Sequence, residues 1–206
     1  MQKKIKLSEL GQFKNGLNFS KIDVEKPCKM IGVSNFSNYL FPKYTELDSI
    51  DSSLVPKEFL LEDGDIVFVR SNGNKNLVGR SMYISNSSEK ITFSGFCIRF
   101  RPDKEKVNPL FLFYLLRAPG CRKQYSYSQQ TNITNLSQDV LGGVSVILPS
   151  LEKQKVMAEM LYKLDLKIEN NNAINDNLEQ MANQLFEHWF VQFKFPSSNN
   201  EMSYND

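Results

Sequence analysis

The amino-acid sequence predicts an α+β fold in which a mixed, strand-rich domain is followed by a long C-terminal helix. Residues 1–148 contain short runs of β-branched and aromatic residues separated by turn signals, as is typical of strands. After Pro149, neither glycine nor proline occurs again until Pro196, which favours one uninterrupted helix. We therefore divide the chain into a domain over residues 1–148, a helical segment over 149–192 and a tail over 193–206.

Three strands and one helix are predicted within the domain. DGDIVFVRSNGN contains a turn, a strand from Ile66 to Arg70 and a polar loop. ITFSGFCIRFRP is interpreted as a second strand that ends at Pro102, and GGVSVILP as a third that ends at Pro149. The intervening run from Pro109 to Arg117 is predicted to be helical, with proline in the first turn and an Ala-Pro-Gly break after it.

The helical segment has a strong start signal and a periodic apolar stripe. Ser150 is a plausible N-cap, and about 40 helical residues would extend about 60 Å. Such a helix is too long to be covered by one small domain, so we expect a partner helix; the alternative is that it packs back on its own domain. The stripe advances by four and three residues, with a polar middle, and its members are Met157, Leu161, Leu164, Ile168, Asn171, Asn175 and Leu178.

Composition restricts the class of protein. No run approaches the ~18 consecutive apolar residues of a membrane span, and the first residues lack the apolar core of a signal peptide. Cys28, Cys97 and Cys121 are far apart and form no Cys-x-x-Cys pair, which argues against a disulfide framework or a structural zinc site. We expect a cytoplasmic protein whose cysteines are reduced and buried.

Signals for catalysis are weak. The only histidine is His188, so a triad, a Cys-His pair or a multi-histidine metal site would have to be built around that ring. NPLF, at Asn108–Phe111, faintly resembles a signature of amino-methyltransferases, but a helix N-terminus explains it better, and no glycine-rich loop for a methyl donor or phosphate accompanies it. PDKEK is interpreted as a charged turn. We predict no catalytic residue, no metal site and no cofactor.

Charge and polar composition favour a nucleic-acid interface in the domain. The net charge is only +2, but the stretch from Arg99 to Lys123 holds seven basic and two acidic residues. Two loops, RSNGNKNLVGRS and YSYSQQTNITN, concentrate the amide and cationic side chains that read base edges. The alternative is an ordinary solvated surface. The candidate contact residues are Arg70, Ser71, Asn72, Asn74, Lys75, Asn76, Arg80, Lys123, Gln129, Gln130, Thr131 and Asn132.

Several segments together resemble one known family. VRSNGNKNLVGRS, SGFCIRFRP, NPLFLFYLLRAP and QQTNI precede a helix that opens on LPSLEKQ and closes on LFEHWFVQF. This series resembles the specificity subunit of type I restriction-modification systems over almost the whole chain, with a target-recognition domain followed by the family's spacer helix. The full-length subunit carries two of each, and its helices pair antiparallel. This chain has one of each and thus resembles a half subunit.

The resemblance implies a non-catalytic protein that reads one half of a bipartite DNA target. It further implies that the protein positions an adenine methyltransferase subunit and an ATP-dependent restriction subunit, and that two copies pair through an antiparallel coiled coil. The aromatic tip of the helix would dock the methyltransferase subunit through Phe186, Trp189, Phe190 and Phe193. The competing hypotheses are that the tip packs on the domain's own core, that the chain is a coiled-coil adaptor that binds only protein, or that it is a solitary enzyme.

Overall fold

The computed structural model describes residues 4–18, 27–36, 40–85, 89–125 and 135–194. The strands are Lys4–Lys6 (β1), Gly11–Asn15 (β2), Pro27–Ile31 (β3), Asp48–Asp51 (β4), Ile66–Val69 (β5), Ser81–Tyr83 (β6), Ile91–Phe93 (β7), Cys97–Pro102 (β8) and Ser145–Ile147 (β9). The α-helices are Leu7–Leu10 (α1), Pro109–Arg117 (α2), Pro119–Arg122 (α3), Gln138–Gly142 (α4) and Leu151–Phe186 (α5). A π-helical turn, Glu187–Val191, follows α5.

The chain divides into two compact units, Met1–Ala158 and Glu159–Asp206. The first contains a four-stranded antiparallel sheet in the order β2-β8-β5-β6 and a three-stranded sheet in the order β4-β3-β7. In the latter, β3 pairs antiparallel with β4 and parallel with β7. A short antiparallel pair, β1-β9, forms a third sheet. The mixed, strand-rich domain followed by a long helix is therefore confirmed.

Strand β5 is buried on both faces, which explains its unbroken apolar sequence. Ile66 and Phe68 belong to a cluster that includes α2, whereas Val67 and Val69 face a second cluster that includes β7. A strand that is covered on both faces has a continuous hydrophobic sequence, and not one in which apolar and polar residues alternate. The predicted strand is thus confirmed, although it ends at Val69, one residue earlier than expected.

The second predicted strand was wrong in one respect, because ITFSGFCIRFRP forms two strands in different sheets. Strand β7 pairs with β3, while β8 pairs with β2 and β5. The chain reverses between them in a turn, Ser94–Phe96, in which the Cys97 amide donates to the Ser94 carbonyl at 2.9 Å. The end of β8 at Pro102 is confirmed.

Helix α2 has the predicted bounds and the predicted start. The Asn108 side chain accepts a hydrogen bond from the Phe111 amide at 2.9 Å, and Pro109 occupies the first turn. NPLF is therefore a helix N-terminus. The cysteines are free, as expected, but only Cys28 and Cys97 are buried, whereas Cys121 is partly exposed.

The long helix begins directly after Ser150, as predicted. Helix α5 and the π-helical turn together span 41 residues, close to the predicted 40. In the described part of the chain, no helix combines the length and hydrophobicity that a membrane crossing requires.

The first turn of α5 is fixed to the strand-rich unit by a buried glutamine. Gln154 is 1% exposed. Its Oε1 accepts a hydrogen bond from the Asn108 amide at 2.9 Å, and its Nε2 donates to the Pro149 carbonyl at 2.8 Å. One side chain thus connects the starts of α2 and α5.

Replacing Gln154 with alanine should lower the free energy of unfolding by about 1–3 kcal/mol, because the Asn108 amide and the Pro149 carbonyl would lose their partner. Urea unfolding would measure the change. Lys153→Ala is the matched control, because Lys153 is exposed on the same turn, and it should change the free energy of unfolding by less than about 0.5 kcal/mol. Equal effects of the two substitutions would contradict the connecting role.

Candidate nucleic-acid interface

The first polar loop, Arg70–Arg80, connects β5 to β6 and is shaped by its own asparagines. Asn72 Oδ1 accepts a hydrogen bond from the Asn74 amide at 2.8 Å, and Asn74 Oδ1 accepts one from the Asn76 amide at 3.1 Å. Side chains of this kind mimic backbone turns. Asn72 and Asn74 therefore have a structural role in the loop in addition to the predicted contact role.

The C-terminal end of this loop is hydrogen-bonded to the strand that precedes the loop. The Val69 amide donates to the Arg80 carbonyl, and the Gly79 amide donates to the Val69 carbonyl, both at 2.9 Å. Gly79 has a φ of +77°, and a Cβ there would lie 3.3 Å from the ring of Tyr125. The positive φ favours glycine here, and a side chain would also make a tight contact with the Tyr125 ring.

The second polar loop begins and ends beside the first. Tyr125, at its start, packs edge-on against Phe68 and donates its hydroxyl to the Leu116 carbonyl at 2.7 Å. At its end, the Leu136 amide donates to the Arg70 carbonyl at 2.8 Å. Asn135 forms an isolated antiparallel bridge with Ser71. The structure thus brings both ends of the second loop to the two ends of the first.

The predicted contact residues differ in their exposure. Asn74, Lys75 and Asn76 are exposed at the loop tip, and Lys123 is exposed just after α3. Arg70, Ser71, Asn72 and Arg80 are partly buried. The remaining four candidates, Gln129, Gln130, Thr131 and Asn132, lie outside the described residues.

The basic stretch that begins at Arg99 does not form one exposed cationic patch. Arg99 is 5% exposed and donates to the Glu58 carbonyl at 2.9 Å. Burial, with a further contribution from repulsion by Arg101, lowers the pKa of Arg99. Arg101 is paired with Asp65 and Glu62. Composition alone therefore overestimated the surface charge of this stretch.

Two buried weak acids near these elements are protonated at neutral pH. Burial raises the pKa of Tyr125 to about 12 and the pKa of the Cys97 thiol to about 12. Both side chains lie in hydrophobic clusters of the core. Among residues 4–18, 27–36, 40–85, 89–125 and 135–194, the structure contains no group of three or more His, Cys, Asp or Glu side chains arranged to hold a metal ion.

The sequence did not predict that the turn Ser94–Phe96 contacts the first polar loop. The Phe96 carbonyl accepts hydrogen bonds from the amides of Arg70, at 2.8 Å, and Ser71, at 3.4 Å. The Ser-Gly pair inside an apparent strand was the available signal, because a glycine in a strand pattern often marks a bulge or a close approach of backbones.

Comparison with known proteins identifies the family. A family model described as the type I restriction modification DNA specificity domain matches residues 2–180. The chain belongs to this family.

Curated members of this specificity-domain family extend beyond the length of this chain. The specificity subunit of the type I restriction enzyme HindI from Haemophilus influenzae is 31% identical over 137 residues, which are 65% of this chain and 29% of that protein. The EcoKI specificity subunit from Escherichia coli is 26% identical over 165 residues, which are 80% of this chain and 34% of that protein. The chain therefore spans about a third of these relatives.

Solved structures of other proteins share the fold of this chain. The HsdS subunit from Thermoanaerobacter tengcongensis matches with a TM-score of 0.58 at 15% identity, covering 97% of this chain and 50% of that one. The type I restriction-modification S subunit from M. genitalium matches with a TM-score of 0.57 at 17% identity, covering 90% of this chain and 45% of that one.

In this member of the specificity-domain family, the predicted seam of α5 is exposed along its length. Its exposed residues are Met157, Leu161, Leu164, Ile168, Asn171, Asn175 and Leu178. Met160 and Ile174 lie one position before seam residues, Met181 lies three positions after Leu178, and all three are also exposed. The apolar stripe is thus wider than the sequence pattern suggested.

The aromatic tip that follows this helix is also exposed. The rings of Phe186 and Phe190 stack with centroids 5.2 Å apart. Trp189 lies on the π-helical turn, and Phe193 adopts a φ of +54°. These four residues, predicted to dock a partner subunit, therefore lie close together in sequence on a surface open to solvent.

Proposed function

We propose that this protein is the DNA sequence-specificity subunit of a type I restriction-modification system and reads one half of a bipartite target. The single observation that carries the proposal, beside family membership, is the hydrogen bond from the Leu136 amide to the Arg70 carbonyl. It joins the end of the second polar loop to the start of the first, at the C-terminal end of β5, and the two loops together are rich in Asn, Gln, Arg and Lys. A compact set of such side chains is what direct readout of base edges requires.

The loops supply the two kinds of contact that sequence-specific binding needs. Arginine forms bidentate hydrogen bonds with guanine, and asparagine or glutamine does so with adenine. Exposed lysines such as Lys75 and Lys123 suit phosphate oxygens, which give affinity without sequence preference. The pinned loop ends reduce the conformational entropy that binding would otherwise cost.

The proposed role includes no catalysis by this chain and requires no cofactor. The chain would act in the cytoplasm and position a methyltransferase subunit and a restriction subunit on DNA. Two curated relatives are themselves named specificity subunits of type I restriction enzymes, which supports this assignment.

We further propose that two copies of the chain pair antiparallel through the seam of α5. The exposed apolar stripe supports this, because its burial against an identical stripe removes exposed apolar side chains from water. Asn171 and Asn175 would fix the register of the pair. Each recognition domain would then read one of two half-sites.

Binding to duplex DNA tests the proposed function. Selection from a pool of random duplexes should enrich one motif, and affinity for it should fall steeply with salt. Lys75→Ala should reduce the slope of log K against log salt by about one, whereas Lys57→Ala, on the connection between β4 and β5, should leave it unchanged. Absence of any enriched motif would instead favour an adaptor that binds only protein, for which the exposed stripe is also suited.

Docking of the methyltransferase subunit should depend on the aromatic tip. Replacing Trp189 and Phe190 together with alanine should weaken binding of that subunit by about 30-fold or more, as loss of an interface anchor costs ~2 kcal/mol. The melting temperature should hardly change, because both rings are exposed. Titration calorimetry would measure the affinity.

Glu187→Ala with Gln192→Ala is the matched control for the tip, since these exposed polar residues flank the same rings. The control should bind the methyltransferase subunit normally. If the aromatic variant melts much earlier and its folded fraction binds as the wild type does, then the rings belong to the core and the docking proposal is wrong.

A further inference from the structure

Phe96 is a large apolar side chain held in solvent on a rigid turn. It is 55% exposed, the largest exposed fraction among the large apolar side chains described before α5. A single exposed apolar side chain is common on a protein surface, so the place of Phe96 in the fold, and not its exposure alone, is what bears on function.

The turn that carries Phe96 is fixed from two sides. The Ser94 amide donates to the Ile31 carbonyl at 2.9 Å, and the Gly16 amide donates to the Cys97 carbonyl at 3.1 Å. A Cβ at Gly95 would collide with the side chain of Asn18. The two hydrogen bonds hold the backbone of the turn in place, so the Phe96 side chain extends from a defined position.

The same turn is joined to the first polar loop. The Phe96 carbonyl accepts hydrogen bonds from the amides of Arg70 and Ser71, and the Arg70 side chain contacts the Gly95 carbonyl at 3.5 Å. Ser71 in turn bridges to Asn135, at the end of the second loop. The backbone of Phe96 thus lies beside the point where the first loop begins and the second loop ends, and its side chain is exposed there.

We propose that Phe96 is a further specificity-determining residue, whose ring contacts the 5-methyl group of a thymine in the DNA target. A phenyl ring offers no hydrogen bond to a phosphate or a base edge, but it recognises the thymine methyl, the one apolar group in the major groove. The inference rests on the proposed function, because it assumes that the neighbouring loops read base edges in that groove.

The test compares Phe96→Ala with the wild-type protein on the motif selected from random duplexes. We expect the substitution to weaken binding to the motif about tenfold, as loss of one base contact does, with little change for a scrambled duplex. The salt slope should be unchanged, in contrast to Lys75→Ala. Phe96→Leu, which keeps an apolar surface, should restore most of the affinity. The melting temperature should be preserved.

Replacement of each thymine in the motif by deoxyuridine gives a second measurement that requires no variant. At one position, this replacement should weaken binding by the wild-type protein about fourfold, because burial of one methyl group is lost. The same replacement should leave the affinity of Phe96→Ala unchanged. Loss of affinity at no thymine, or an equal loss in both proteins, would overturn the inference, as would a changed salt slope. If the wild-type protein prefers no duplex at all, then the proposed function itself is wrong. If it prefers the motif and Phe96→Ala binds equally well, only the role of Phe96 fails.

Discussion

Replacing Arg101 with methionine is expected to lower the free energy of unfolding by about 3–5 kcal/mol, because it would leave a buried carboxylate without its cation. Asp65 is 1% exposed, and both of its oxygens accept from the Arg101 guanidinium at 2.8 Å. The same guanidinium also donates to Glu62 at 2.6 Å and to the Leu60 carbonyl at 3.0 Å. Hydrogen bonding to Asp65 raises the pKa of Arg101.

Lys104→Met provides the matched control for this effect. Lys104 and Asp63 form an ion pair at 3.9 Å in which both side chains are exposed, so their attraction is screened by solvent. We expect a change of less than about 0.5 kcal/mol. Guanidinium chloride unfolding of both variants would measure the difference. If the free energy of unfolding of Arg101→Met lay within about 1 kcal/mol of the wild-type value, then Asp65 would tolerate burial without its cation.

Introducing glutamates at both Leu164 and Ile168 should dissociate the proposed dimer completely. Each side chain is 56% exposed in the single chain and lies on the seam near its middle. In an antiparallel pair, the new carboxylates would be buried close to one another, and burial of unpaired like charges is strongly unfavourable. Light scattering should change from twice the chain mass of 23.7 kDa to that of one chain.

Ala173→Glu with Gln180→Glu is the control for added charge, because both positions lie opposite the seam in the heptad. This variant should remain dimeric.

A dimer of identical chains would also require two inverted, identical half-sites separated by an unread spacer. A wild-type protein that is strictly monomeric, or a methylated motif with two different halves, would show instead that the partner is another specificity chain.

Local signals in the sequence were sufficient for the helices that matter here. The bounds of α2 followed from Asn108, Pro109 and the Ala-Pro-Gly break, and the start of α5 followed from Ser150. These signals succeed because helix termini are determined by side chains within a few residues of the affected backbone groups.

Features that depend on distant partners were not predictable in the same way. Arg101 binds residues 36 and 39 positions away, and Gln154 binds an amide 46 positions away. No periodicity within a short window distinguishes such an arginine from one on the surface. For the candidate interface, the sequence indicated which loops are polar, whereas the bond from Leu136 to Arg70, which brings them together, came only from the fold.

The hydrogen bonds of Gln154 affect where the chain can be joined to a foreign recognition domain in a chimera. A chimera that joins a foreign recognition domain to α5 at Pro149 would pair the Gln154 side chain with the amide of an unrelated helix N-terminus. Recognition domains are therefore best exchanged together with the first two turns of α5, up to Ala158, where the first compact unit ends. We therefore expect the boundary of the exchangeable module to lie inside a continuous helix, where neither a loop nor a change in composition marks it.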